Sequence, residues 1–270
     1  MRIALAQMYC PWGHVEDNIA SMEIMTYRAK ANGAHFIAFP ELTVTGIFKD
    51  DKIWALAESM EGSIVKKVID IAVETGLIIG FGFTESAIPL PYNAYAIALP
   101  SGTLAGIYRK NYIPQLEIPW WQGHTERPVF IIEDKRFAIS ICWDNNNSEL
   151  LAHYGKEKVD VVLMPHAWDA DPLDHQGKDL RYDTINELVD HHTTGRLAGW
   201  QTHDEMATQF YSYIPQQAKE NSFYALFINQ SGQPHPALLF DGPTFAVNPK
   251  GKVIAKTKNG LEQLVYVCIP

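Results

Sequence analysis

The sequence lacks the features that mark several large classes of protein. Its 270 residues include only three cysteines, Cys10, Cys142 and Cys268, which lie far apart and form no CxxC pair. This spacing excludes a thioredoxin-like redox motif and the usual structural zinc pattern, and so few cysteines do not favour a disulfide framework. We therefore expect reduced thiols and a cytoplasmic location.

Two further absences concern membranes and nucleic acids. No apolar run approaches the roughly 20 residues of a membrane-spanning helix, and the apolar start, Met1–Met8, is too short for a secretory signal core. The chain has a formal net charge of −9 and no run of Lys and Arg that would contact phosphates. The sequence thus predicts neither a membrane nor a nucleic-acid partner.

The residues that are present favour a layered α/β protein. Hydrophobic residues make up 47% of the chain and occur in short runs separated by turn signals such as Pro100-Ser101-Gly102. Helices are predicted at Val15–Ala31, Ser63–Glu74, Glu149–Lys156 and Glu205–Glu220, the last with a kink or restart at Pro215. Strands are predicted at Arg2–Met8, His35–Phe39, Leu77–Phe83, Ala94–Leu99, Leu104–Arg109, Val129–Glu133, Phe137–Cys142, Val159–Met164, Ala225–Asn229, Ala237–Val247, Lys252–Ala255 and Gln263–Ile269. Early alternation of strand and helix, followed by hairpins, predicts a mixed sheet in a single domain over residues 1–270.

One long segment breaks this pattern. Residues 169–204 are polar, rich in Asp and His, and poor in strand signal. A metal site is one hypothesis for its histidines, which are His175, His191, His192 and His203. Adjacent histidines would point apart on a helix, so a solvated lid over an active site, without a metal, is the favoured interpretation.

Three polar residues follow predicted buried strands or end them. Glu41 comes after Phe39-Pro40, Lys110 comes after Tyr108-Arg109, and Cys142 ends an apolar run. Taken alone, they would be a loop carboxylate, a surface lysine and a small core residue. Ligand sites of open α/β sheets collect at strand ends, so the combination favours a shared site.

The segments around these residues resemble the nitrilase superfamily of carbon–nitrogen hydrolases. The resemblance is carried by FPELTVTG, YRKNYIP and ISICWDNNNSE in the family's order, and by RIALAQM, AKENSFYALFINQSG and DGPTFAVNPKGKVIA elsewhere. It covers nearly the whole chain. It implies a four-layer αββα sandwich, a homodimer or higher homo-oligomer, and neither a metal nor an organic cofactor.

The resemblance also implies a mechanism for a small-molecule substrate. Cys142 would be the nucleophile, Glu41 the general base, and Lys110, with the N–H of Trp143, the stabiliser of developing negative charge. A second carboxylate is implied after the lysine, and Glu117 fits the family pattern better than Glu126. We expect hydrolysis of an amide or N-carbamoyl amine through a cysteine thioester, with a nitrilase or a catalytically silent binding protein as alternatives.

Four residues are predicted to contact the substrate. Trp143 either lines the pocket or packs in the core. The Trp-Asp pair that it forms with Asp144 after the cysteine resembles the one in family members acting on N-carbamoyl amines. Asn145 could bind a polar substrate, although Asn147 or Ser148 of the same run could instead cap the next helix. The family often has a proline before the glutamate that corresponds to Glu149. This chain has Ser148 there, and the missing proline leaves the substrate class open. The other two candidates are His166 and Trp168, in MPHAW.

Overall fold

Strands supply most of the structure that positions these polar residues. The computed structural model describes residues 1–47, 52–115, 117–168, 203–235, 238–258 and 260–270. Its strands are β1 (Arg2–Tyr9), β2 (Phe36–Ala38), β3 (Ile78–Glu85), β4 (Tyr92–Ala98), β5 (Leu104–Arg109), β6 (Phe130–Ile132), β7 (Lys135–Ile139), β8 (Val161–His166), β9 (Tyr224–His235), β10 (Leu238–Asp241), β11 (Phe245–Val247), β12 (Val253–Lys256) and β13 (Gln263–Cys268). The helices are α1 (Val15–Ala31), α2 (Lys52–Ala55), α3 (Ser63–Thr75), α4 (Ser148–Lys156) and α5 (His203–Asn221), and a 3-10 turn covers Cys142–Asn146.

The strands form two mixed sheets. The first has the order β5-β4-β3-β2-β1-β13, with β1, β2 and β3 parallel. The second has the order β6-β7-β8-β9-β11-β12, with β7, β8 and β9 parallel. The sheets join where Met8 and Tyr9 of β1 pair with Gln230 and Ser231 of β9. Because β2, β5, β7 and β8 deliver their carboxyl ends to one region, the residues that follow them meet there.

Three apolar cores separate four layers. The core between the sheets joins residues of both, among them Leu5, Phe36, Phe137, Val161 and Leu226. A second core packs α1 and α3 on the first sheet, and a third packs α4 and α5 on the second. The resulting order of helices, sheet, sheet and helices is the predicted αββα sandwich.

Some predicted boundaries were wrong for local reasons. The predicted strand Ala237–Val247 is divided into β10 and β11, because Gly242 has a φ of 79° and Pro243 has no N–H for the sheet. Strand β7 ends at Ile139, so Cys142 begins the following 3-10 turn instead of ending the strand. Pro215 lies inside α5 and does not restart it, because Ile214 and Ala218 on either side of it pack against the second sheet; the predicted kink stays a prediction.

Other predictions are confirmed or lie elsewhere in the chain. The side chain of Asn147 caps α4, since it accepts a hydrogen bond of 3.0 Å from the N–H of Leu150. Residues 169–202, with His175, His191 and His192 of the predicted lid, lie outside the described residues. Across the part of the chain that the structure describes, no helix is long and apolar enough to cross a membrane.

Candidate active site

Glu41 lies in the turn after β2, and neighbouring strands hold this turn. The hydroxyl of Tyr95, on β4, donates a hydrogen bond of 2.8 Å to the carbonyl oxygen of Phe39. Gly82, on β3, lies so close that a Cβ atom there would collide with the backbone nitrogen of Leu42. Leu42 has a φ of 48°, a left-handed conformation that costs a non-glycine residue about 1–2 kcal/mol. Strands β3 and β4 therefore fix a backbone shape that the turn would not keep alone.

The Glu41 carboxylate is fully buried and has three donors. Its Oε1 atom accepts hydrogen bonds from Lys110 Nζ at 2.8 Å and Asn93 Nδ2 at 2.7 Å. Its Oε2 atom accepts one of 2.8 Å from the N–H of Ala167, while Gln230 Nε2 donates to the Glu41 carbonyl oxygen at 2.8 Å. Burial opposes ionisation, but the charge and hydrogen bond of Lys110, with smaller effects from His166 and Asn93, together outweigh it, and the pKa of Glu41 is lowered. Glu41 is thus an ionised acceptor in the resting site.

Lys110 lies between two carboxylates. Its Nζ atom is 2.8 Å from Glu41 Oε1 and 3.0 Å from Glu117 Oε2, and both carboxylates are almost completely shielded from solvent. Burial alone would lower the pKa of Lys110, but Glu117 and Glu41 outweigh it and raise that pKa well above its usual range. Lys110 is therefore a permanent, fixed positive charge.

Cys142 brings a neutral thiol to this charged pair. It opens the 3-10 turn with a φ of 48°, and the charges of Glu41 and Lys110 both act on its side chain. Burial, followed by the negative charge of Glu41, raises the pKa of Cys142 well above its usual range despite the opposing charge of Lys110. The thiol therefore keeps its proton at rest, next to an ionised carboxylate.

His166 and Asn145 are both buried and contact each other. Burial lowers the pKa of His166 to about 4, so its ring is neutral at neutral pH. Its Nδ1 atom is 2.8 Å from the Met164 carbonyl oxygen, which assigns the proton to Nδ1. Its Nε2 atom can then accept from Asn145 Nδ2 at 3.3 Å, and the same amide donates to the Ser140 carbonyl oxygen at 3.1 Å. Substrate contact by His166 or Asn145 stays a prediction.

The two predicted pocket tryptophans differ in exposure. The side chain of Trp143 is 44% exposed, so it does not pack in the core. Trp168 is partly buried against the core between the second sheet and its helices, and its backbone N–H donates to Asn229 Oδ1 at 2.9 Å. Their contact with a substrate stays a prediction.

The comparison with protein families decides the identity of the fold. The model of the family "Carbon-nitrogen hydrolase" matches residues 2–270. The chain belongs to the carbon–nitrogen hydrolase family.

Individual family members are distant relatives. The N-carbamoylputrescine amidase of Arabidopsis thaliana is 24% identical over 260 residues, which are 93% of this chain and 80% of that protein. The glutamine-dependent NAD(+) synthetase of Acinetobacter baylyi is 24% identical over 98% of this chain, which spans only 43% of that relative. The crystal structure of an amidase from Nesterenkonia sp. has a TM-score of 0.80 at 19% identity and covers all of this chain and 90% of its own, which shows the shared fold.

This carbon–nitrogen hydrolase contains site residues that sequence reasoning missed. Asn93, Ala167 and Gln230 all donate to Glu41, and Asp144 joins segments next to Lys110 and Cys142. Asn93 directly precedes the predicted strand Ala94–Leu99 and belongs to β4 in the structure, so a polar residue next to an apolar run was the available signal. The backbone donor of Ala167 has no sequence signal, because any residue except proline carries an N–H.

Glu117 and Glu126 provide a matched pair for testing the second carboxylate. Glu117 contacts Lys110, whereas the side chain of Glu126 is 74% exposed and lies 3.4 Å from His124. We expect Glu117→Gln to lower kcat by about 10-fold to 100-fold, since it removes a charged partner that orients the ammonium. Glu126→Gln should retain wild-type kcat. Equal kcat values for the two variants in an ammonia-release assay would contradict a role for Glu117.

Proposed function

We propose that this carbon–nitrogen hydrolase cleaves a small amide or N-carbamoyl amine through a thioester on Cys142. The observation that carries the proposal is the position of the buried, neutral Cys142 thiol beside Glu41 and Lys110, whose charges both act on its pKa and whose Oε1 and Nζ atoms lie 2.8 Å apart. A thiol, an ionised base and a fixed cation are the groups that acyl transfer to sulfur requires.

In the first half-reaction, Sγ of Cys142 bonds to the substrate carbonyl carbon and its proton passes to Glu41. The carbonyl electron pair moves onto oxygen. Lys110 and the backbone N–H of Trp143 stabilise the negative charge. When the carbon–nitrogen bond breaks, Glu41 returns the proton to nitrogen and ammonia leaves. The products are the thioester and an ionised Glu41.

In the second half-reaction, Glu41 takes a proton from water and the hydroxide oxygen bonds to the thioester carbon. Collapse of this intermediate breaks the carbon–sulfur bond, and the thiol regains the proton from Glu41. An amide yields a carboxylic acid. An N-carbamoyl amine yields a carbamic acid, which loses CO₂ and leaves the amine.

The names of relatives support this choice of substrates. They include N-carbamoylputrescine amidases of three plants, a citrullinase of Francisella tularensis and an (R)-stereoselective amidase of a Pseudomonas species. A mutant of the Nesterenkonia amidase carries the acetamide moiety of fluoroacetamide on its active-site cysteine.

We further propose that residues 1–270 act as one domain in a cytoplasmic homodimer or larger homo-oligomer.

A substrate panel tests the proposal. Ammonia release would be measured with aliphatic amides, ω-amides, N-carbamoyl amines, N-carbamoyl amino acids and nitriles. Release from amides or carbamoyl compounds is the expected result. Release from nitriles alone would replace the proposal by a nitrilase, and binding without turnover of any compound would indicate a catalytically silent binding protein.

A further inference from the structure

We propose that Asp144 is a positioning residue that fixes the positions of Lys110 and Cys142 relative to each other. The inference rests on the proposed function, because it assigns Asp144 to the reaction of Cys142. Asp144 is fully buried and lies two residues after the nucleophile. It does not contact the reacting atoms in the mechanism above, so its effect would pass through the two backbone segments that it joins.

The Asp144 carboxylate bonds to both sides of the site. Its Oδ1 atom accepts hydrogen bonds from the N–H of Asn111 at 3.1 Å and of Tyr112 at 2.7 Å, directly after Lys110. Its Oδ2 atom accepts from the Tyr108 hydroxyl at 2.7 Å and from the N–H of Ile141 at 3.0 Å. Two of these partners precede the reactive residues and two follow Lys110, so one side chain fixes both.

The chemistry of the partners favours an ionised carboxylate. Three of the four are backbone N–H groups, which donate and cannot accept. Hydrogen bonds to an ionised acceptor are shorter and about twice as strong as neutral ones. An amide NH₂ in place of either oxygen would leave a backbone N–H facing a donor, and a proton on the carboxyl would weaken the hydrogen bonds that the protonated oxygen accepts. In both cases at least one segment would be held less firmly. The left-handed φ of 48° at Cys142 is a strained shape that the released segment could leave.

The charged and titratable surroundings are consistent with this dependence. Burial raises the pKa of Asp144 to about 7, while the hydrogen bonds from Tyr112 and Tyr108 and the charge of Lys110 oppose that rise. Tyr108, on β5, and Tyr154, on α4, face the carboxylate, and burial raises the pKa of both phenols, so they stay neutral. Protonation of Asp144 below about pH 7 should therefore loosen the site.

The test compares Asp144→Asn with Asp160→Asn in the full chain. Asp160 is exposed and also accepts a backbone hydrogen bond, from the N–H of Arg136 at 2.8 Å, which makes it a chemically matched control. Two readouts are needed: kcat and KM for the best substrate of the panel across pH, and the rate at which iodoacetamide alkylates Cys142. Both are expressed per folded molecule. The alkylation rate needs no substrate, so it tests the inference even if amide hydrolysis is absent.

The expected result is a loss of about 100-fold in kcat for Asp144→Asn with a much smaller change in KM, because a displacement of about 1 Å costs that much. The wild-type kcat should fall as pH drops through about 7, and Asp144→Asn should lack this step. Asp160→Asn should match the wild type. Tyr108→Phe, which keeps the carboxylate and its three backbone donors, should lose about 2-fold to 10-fold in kcat and covers the case in which Asp144→Asn does not fold.

Three results would overturn the inference. One is wild-type kcat and alkylation rate per folded molecule in Asp144→Asn. Another is a loss fully accounted for by the unfolded fraction. The third is an unchanged kcat, alkylation rate and pH profile in Tyr108→Phe, and it decides the matter if Asp144→Asn does not fold. Failure of the wild type to release ammonia, together with slower alkylation in Asp144→Asn, would reject the proposed function and leave the positioning role standing.

Discussion

Cys142→Ala is expected to abolish ammonia release, with kcat falling about 10⁴-fold or more, because no other group can form the thioester. The fold should survive. The residue is buried at 8% exposure, but the change replaces the thiol by hydrogen and so removes a single heavy atom from the packing. Steady-state kinetics and thermal unfolding of the same preparation would separate the two effects.

The matched control is Cys268→Ala. Cys268 is a free cysteine at the exposed end of β13, away from the site. It should retain wild-type kcat, and mass spectrometry of substrate-treated protein should find acyl adducts only on chains that retain Cys142. Wild-type turnover by Cys142→Ala would reject the nucleophile assignment and, with it, the thioester mechanism.

Lys110→Met is expected to remove both activity and much of the stability. Turnover loses the cation that stabilises the developing oxyanion, a change that typically lowers kcat about 10²-fold to 10³-fold. Stability falls because the buried carboxylates of Glu41 and Glu117 lose their shared partner. Removing one member of a buried ion pair costs about 3–5 kcal/mol in the free energy of unfolding.

The loss of stability should depend on pH. In the wild type, Lys110 lowers the pKa of Glu41, so this pair contributes stability above the unfolded pKa of the carboxyl and loses it as pH falls through the folded pKa. In Lys110→Met the folded pKa of Glu41 should lie above its unfolded value, because burial, which raises that pKa, loses its main opponent. The variant should then gain stability as pH falls, and urea unfolding at about pH 8 and about pH 6 would show the deficit shrinking.

Lys67→Met is the control for this variant. Lys67 also pairs with a glutamate, Glu16, at 2.6 Å, but both side chains are well exposed. Exposed ion pairs contribute about 0–1 kcal/mol, so this variant should unfold almost as the wild type does and keep its activity. A stability deficit of similar size in both variants, or a Lys110→Met deficit that does not change with pH, would contradict the coupling of Lys110 to the two carboxylates.

The amino-acid sequence determined the features that depend on local order. Apolar periodicity and turn residues predicted most strands and helices, since these patterns reflect which backbone faces are buried. Placing Glu41, Lys110 and Cys142 after or at the ends of strands predicted that they would meet, and the motifs around them indicated the family. Errors occurred where a proline or a left-handed residue set the boundary, as at Gly242-Pro243 and Cys142.

Only the tertiary structure decided which groups touch. The choice between Glu117 and Glu126 depends on which carboxylate reaches Lys110. The donors to Glu41 from Asn93, Ala167 and Gln230 come from residues that are 52, 126 and 189 positions away along the chain. Such contacts require two sheets to be packed and joined, and no local pattern encodes that packing. The resting pKa values of Glu41 and Cys142 follow from the same burial and neighbouring charges, so they too belong to the folded molecule.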